Sequence, residues 1–447
     1  GGSGRLNPSS FPLRRAFNSL KINAILPPMM KIIRDFVSGR PAGDVVLASA
    51  LAAALLFSMI SISLAQGFLA IALIVWLILL ARGKRRFETP VFFWALAAYA
   101  GLSLLSSAAS VNPRISFWDS RDLLLILAVP VTLAAVRRRA DLTLALSALF
   151  LSAAVNGVYA VFCRFATTAE RIRAFMGHYM TQAGLTALFI SLVLGLLFAG
   201  FGRRKSAAAG RAEVKGIRIE RAVLAAGFLL ASAANILTYT RGAWIGLAAA
   251  LAVAVFLWKP KALILLPVIA ALGFLAAPKP VKDRALSIFT MRDDSNVARV
   301  QYFKAGVKII SDYPLLGTGP DTVDMVFQDE KYGLGYLAKH NVHLHSNIIQ
   351  IAAERGLVTL AAWLAFIGLA LAGLGRLWRL PETGFSFWAA RRKLAAGGLA
   401  ALTSLFVAGF FEYNFGDSEI AQLLFILITL PFAARRLERE SHESAPS

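Results

Sequence analysis

The chain has 447 residues, 57% of them hydrophobic and only 16% charged, with a mean hydropathy of +0.64 and a net charge of +22. Soluble domains carry about a quarter charged residues, so these figures exclude a soluble fold and define an integral membrane protein. A single cysteine, Cys163, excludes an internal disulfide and a thiolate metal site. The basic excess lacks the aromatic–basic platform that single-stranded nucleic acid requires, so no nucleic-acid partner is expected.

Gly1–Gly4 reads as a tag remnant. The rest of 1–42 reads as a basic amphipathic tail lying on membrane lipid at the inner leaflet, with Arg14, Arg15, Lys21, Lys31 and Arg34 around Phe11, Leu20, Ile22 and Phe36. Apolar runs of about twenty residues, enough for a helix to cross hydrocarbon, then follow. Nine fill 43–277, near 44–64, 66–81, 90–108, 117–136, 143–163, 182–201, 220–239, 242–258 and 261–277. Three more fill 357–434, near 357–378, 394–413 and 419–434, and a short tail follows at 435–447. The runs at 66–81, 242–258 and 419–434 are short enough to be tilted or partly re-entrant. With both termini cytoplasmic, the cytoplasmic segments hold 31 of the 47 Lys and Arg and the short external loops hold six. That asymmetry is the one that orients membrane proteins. The expected fold is therefore all-α with about twelve transmembrane helices.

Residues 278–356, between spans nine and ten, read as a helical subdomain on the external side. Ser295-Asn296 caps a helix running to about Ile310, Asp312-Tyr-Pro314 ends it, and Leu316-Gly-Thr-Gly-Pro320 is a turn.

Three of the five histidines, His340, His343 and His345, lie within six positions at the end of this insert. A helix reads from Ser346 to Arg355, and Gly356 breaks it before the next apolar run. On a helix His343 and His345 would diverge by about 200°, whereas an extended approach puts them on one face. The nearest carboxylate in sequence is Glu354 and no HExxH pattern occurs, so neither zinc nor another cofactor is expected. Neutral imidazole can take a proton from a hydroxyl near pH 7, which makes His345, or His343, the candidate base, with Glu354 to orient it. The alternative for each ring is a structural role.

Among the arginines on the external side, five are candidates: Arg164, Arg171 and Arg173 between spans five and six, Arg241 in a tight turn, and Arg299 on the first insert helix. A guanidinium at the bilayer boundary needs water or an anion, and its planar fork matches phosphate oxygens. The alternative is lipid headgroups or pairing with Glu170 and Asp294. The first external loop, around Ala65-Gln66-Gly67, has no acid, so the site reads as metal-free, with arginines for phosphate and histidine for an acceptor group.

Three motifs resemble the bacterial O-antigen ligase family. Thr240-Arg-Gly-Ala-Trp-Ile-Gly246 is similar to its Ser/Thr-Arg-Gly-Ala-Trp turn. The stretch from Arg299 to Pro320 resembles its arginine-led helix ending in Pro-Leu-x-Gly-x-Gly-Pro. His345-Ser346, with Gly356 and Thr359 following, resembles its histidine motif, although the family more often has His-Asn. The resemblance implies a GT-C-like fold in a Gram-negative inner membrane, working at the periplasmic face without metal or nucleotide. It also implies inverting transfer of O-antigen from undecaprenyl diphosphate to lipid A–core oligosaccharide. For such a reaction Arg164, Arg241 and Arg299 are expected on the diphosphate, with Arg171, Arg173 and His340 as further substrate-binding candidates. An O-antigen polymerase or protein O-oligosaccharyltransferase would share the donor chemistry. A transporter would instead place ionisable residues within its spans and show two matching halves; here the candidates gather on one face and no repeat is visible.

Overall fold

The computed structural model describes residues 38–198, 211–290, 294–339, 342–381 and 390–443, with backbone alone for 211–221, 294 and 442. His340, most of the basic tail at 5–42 and the basic run Arg203-Arg-Lys205 lie outside the described residues. The chain forms two units, Gly1–Val46 and Leu47–Ser447, and the packing below is that of the second.

Every regular element among the described residues is helical. In chain order these are α1 (Ala42–Phe57), α2 (Ile62–Ala81), α3 (Phe92–Ala108), α4 (Pro113–Asp119), α5 (Ala128–Ala135), α6 (Arg139–Ala166), α7 (Tyr179–Phe198) and α8 (Arg211–Ile236). They continue as α9 (Arg241–Trp258), α10 (Leu266–Ala276), α11 (Lys279–Leu286), α12 (Asp294–Asp312), α13 (Val323–Val326), α14 (Asn347–Arg379), α15 (Arg391–Ala408) and α16 (Ser418–Glu443). Six are long and apolar enough to cross a membrane: α2, α6, α7, α9, α14 and Ser418–Ser441 of α16. Shorter apolar helices are α1, α3, residues 222–236 and Pro260–Ala276. The last of these buries no side chain, and Ile264, Val268, Ile269, Leu272 and Leu275 all stand exposed. In water each Å² of that apolar surface would cost about 25 cal/mol; against lipid tails it costs nothing.

The closest packing joins α15 to α7 and α9, and α14 to α3. Lipid supplies no hydrophobic drive between helices, so small residues that let backbones approach carry the contact. A Cβ on Gly195 of α7 would lie 2.1 Å from Gly397 N on α15. At the start of α15, buried Arg391 pairs with buried Glu438 (2.7 Å) and donates to the carbonyls of Leu377, Leu380 and Pro381. The other end of α15 lies about 27 Å away, and that is the end the histidines approach.

Three elements differ from the sequence reading. The run at 117–136 forms the end of α4, a 3-10 helix at Ser120–Leu127 and then α5. Serine hydroxyls compete with the backbone there: Ser120 Oγ donates to Ser116 O (2.7 Å) and meets Ser107 Oγ at 2.8 Å. The run at 394–413 is helical only to Ala408, because Gly409 O accepts Asn347 N (2.7 Å) and the chain turns. The run at 261–277 opens in a 3-10 helix. The expected insert helix is α12, and it packs with the following loops around its own apolar cluster of Tyr302, Ile309, Phe327, Leu334 and Leu344.

Candidate active site

Gly356 lets α14 and the Pro314–Pro320 turn meet. It interrupts α14 with φ +82°, a conformation glycine adopts freely. A Cβ there would lie 1.9 Å from Leu315 O. Through the break, Leu357 N donates to Pro314 O (2.9 Å), Thr318 N to Ala353 O (2.9 Å) and Gly319 N to Glu354 O (2.8 Å). Ser106 Oγ donates to Leu316 O (2.6 Å) and Ser116 Oγ to Pro320 O (2.7 Å), so α3 and α4 clamp the same turn. Gly356→Ala is expected to destabilise the protein by about 1–3 kcal/mol, measured as a lowered unfolding midpoint in detergent.

The loop before α14 is held at both edges. Leu344 N donates to Gln350 Oε1 (2.6 Å), and His345 takes φ +53°, rare for a residue with a side chain. Asn347 Nδ2 donates to Asn414 Oδ1 (2.7 Å), while Phe415 N donates to Asn347 Oδ1 (3.0 Å). These bonds bring the 409–415 turn, and with it Glu412, onto the histidines. Glu412 lies 3.2 Å from His343 Nε2 and 3.2 Å from His345 Nδ1, and the two rings are 4.8 Å apart. A carboxylate only accepts, so each ring places a proton on the nitrogen facing Glu412. In the tautomer of His345 that carries its proton on Nδ1, the ring lone pair is on Nε2.

The carboxylate that meets both histidines is Glu412, where Glu354 was expected. Glu354 is buried and spends its charge on Arg355 (2.8 Å), which also holds Asp119 (3.0 Å) and Tyr413 Oη (3.0 Å). Sequence spacing favoured Glu354, nine residues from His345; the turn after α15 supplied the closer group. One signal did point to Glu412: an acid within an apolar run, where an ionisable residue is a functional candidate by default.

Burial opposes charge on Glu412, yet the hydrogen bonds and charges of both imidazoles hold its carboxyl well below the usual range. Burial likewise opposes protonation of His343, and its hydrogen bond and ion pair with Glu412 outweigh this and raise it above the ordinary histidine value. The same three residues have ligand atoms within 4.8 Å of one another and could hold a divalent ion.

On the far side of Glu412, guanidiniums collect. Arg299 donates from Nε to Phe411 O (3.1 Å), and it lines a small cavity with Glu412, Thr240 and Gly242. Arg171 donates to Thr238 O (2.8 Å) and stacks over Tyr179 (3.4 Å). Burial first, then the charges of Arg284, Arg241 and Arg299, push Arg171 down to about 10 against the opposing effect of Tyr179. It stays charged at neutral pH, and an anion would relieve the repulsion. Arg241 is buried and fastens the turn before α9 to Ser287 O (2.8 Å), Asn296 Oδ1 (3.0 Å) and the Ser295 hydroxyl. Arg284, which the sequence did not single out, donates to Tyr239 O (3.1 Å). Arg164 is exposed in the last turn of α6, and Arg173 is exposed and bonds Gly177 O (3.4 Å); neither adds a contact to this group. His178 stacks on Tyr179 (4.0 Å).

The fold and this site define a helical membrane protein with a polar centre, in which two imidazoles share a carboxylate beside clustered arginines. Residues 226–364, from within α8 into α14, match the family described as O-antigen ligase, so the chain carries that family's region and the resemblance of its three motifs stands. All three motifs lie inside the matched stretch; Arg171 and Glu412 lie outside it. No curated protein sequence matches the chain.

Proposed function

We propose that the chain is a metal-independent, inverting glycosyltransferase that ligates O-antigen from undecaprenyl diphosphate onto lipid A–core oligosaccharide. It would work at the periplasmic face of a Gram-negative inner membrane, on a GT-C-like frame of twelve spans with both termini cytoplasmic. The single observation that carries the reading is Glu412 holding His343 and His345 next to the arginine group, because it places a base and an anion clamp side by side.

The reaction balances on these groups. His345 Nε2 takes the acceptor hydroxyl proton as that oxygen attacks the anomeric carbon, and the bond from that carbon to the diphosphate oxygen breaks. Charge developing on the departing undecaprenyl diphosphate falls among Arg171, Arg241, Arg284 and Arg299, the electrostatic contribution that is usually the largest in such reactions. Of these, Arg299 and Arg171 contact the phosphates, and Arg241 fixes the turn that positions them.

The test is transfer by the purified chain in liposomes with undecaprenyl-diphosphate-linked O-antigen, lipid A–core and EDTA. O-capped lipopolysaccharide is the expected product. Longer chains on the lipid carrier alone would assign a polymerase, and transfer only to protein would assign an oligosaccharyltransferase. Activity abolished by EDTA and restored by zinc would place a metal on His343, His345 and Glu412 and overturn the base assignment.

A further inference from the structure

His343 and Glu412, 3.2 Å apart, line two different cavities. The one beyond Glu412 has Arg299 in its wall. The other, of about 110 Å³, opens on His343 and is lined by Asp119, Asp122, Asp321, Glu354 and Tyr413, with Arg355 as its cation. That cation is already engaged: its terminal nitrogens hold Asp119, Glu354 and Tyr413 Oη, while its Nε is buried without a hydrogen-bond partner. Arg355 is 6% exposed and its Nε is sealed from solvent, so it presents no open charge to a ligand. Asp122 and Asp321 are exposed; Asp122 meets Arg121 Nε only loosely through Oδ1 (3.7 Å), so both residues can accept incoming hydroxyls. The floor is apolar and aromatic, with Leu123, Ile126, Phe415 and Phe425.

We infer that this cavity seats the acceptor sugar, and that Asp122 and Asp321 select a neutral, unphosphorylated polyol by accepting hydrogen bonds from its hydroxyls. The inference rests on the reading above and adds its specificity. Carboxylates accept hydroxyl donors strongly, whereas a phosphate or carboxylate group would meet like charge with no uncommitted cation to offset it. A neutral sugar also suits a floor of rings and aliphatic side chains. The two cavities thus divide the substrates by charge: the anionic donor on the arginine side, the neutral acceptor on the carboxylate side, and the proton passing at the wall between them.

The experiment measures equilibrium binding to the full-length chain in nanodiscs, separately from turnover. The probes are lipid A–core, the same glycolipid phosphorylated on its terminal sugar, and undecaprenyl diphosphate. Asp122→Asn and Asp321→Asn each leave the pocket's shape intact, and Asn tolerates the φ of +55° at 321. Loss of a hydrogen bond to a charged group corresponds to about tenfold weaker lipid A–core binding per variant, with undecaprenyl diphosphate binding unchanged as the folding control. The wild type is expected to bind the glycolipid phosphorylated on its terminal sugar at least about tenfold more weakly than the one whose terminal sugar is neutral. Unchanged lipid A–core binding in both variants would overturn the inference, and so would equal binding of the two glycolipids. EDTA reproducing the loss in wild type would assign the carboxylates to a bridging cation instead. Transfer retained without a binding effect would sink this inference alone; a binding effect without any transfer would sink the proposed reaction alone.

Discussion

His345→Ala is expected to lower transfer by about 10²–10⁴-fold while leaving donor binding intact, because the ring supplies a proton acceptor and no contact to the diphosphate. Glu412→Gln is expected to lose a similar amount with both rings present. An amide can donate as well as accept, so it no longer specifies which nitrogen carries each proton. The two measurements separate a general base from a packing role, since a packing role would survive the near-isosteric Gln. Stability against pH gives an independent readout. Glu412 is held below the ordinary carboxyl value of 4.5, so its contribution is complete above that value and is lost as pH falls through the folded one. His343 is raised above 6.5, so its contribution is complete below 6.5 and is lost as pH rises through the folded value. The unfolding midpoint of the wild type should therefore peak between these limits, and Glu412→Gln should flatten both flanks. Near-normal transfer by His345→Ala would remove the base assignment.

Arg299→Ala is the second large effect, expected to reduce kcat by about 10²–10³-fold, the magnitude of losing one preorganised donor to developing charge. Its Nε also bonds Phe411 O, one residue before Glu412, so it joins the anion side to the base. Arg299→Lys should not recover the activity, because an ammonium lacks the planar fork that meets two phosphate oxygens. Arg171→Ala should act on the same step through the same clustered charge, whereas Arg164→Ala and Arg173→Ala should leave kcat within about twofold. A full effect at Arg164 and none at Arg299 would relocate the diphosphate toward the end of α6.

The sequence by itself determined that this is a helical membrane protein, where its apolar runs lie, that the histidines cluster at the end of the insert, and that Gly356 breaks the helix after them. Those features depend on local composition, periodicity and backbone preference, which neighbouring residues carry. Only the tertiary structure decided that Glu412 serves the histidines, that Glu354 belongs to Arg355 and Asp119, and that Arg284 joins Arg171, Arg241 and Arg299. Glu412 reaches His345 from 67 positions away because Asn347 ties the start of α14 to the turn after α15. Arg355 meets Asp119 across 236 positions. Such pairings are made by packing between distant helices, and sequence spacing carries no record of them. The same limit applied to the runs at 117–136 and 394–413, whose hydropathy is that of a span. The first is broken by hydroxyls of Ser107 and Ser120 that bond locally, and the second is ended by Asn347, a partner that lies elsewhere in the chain.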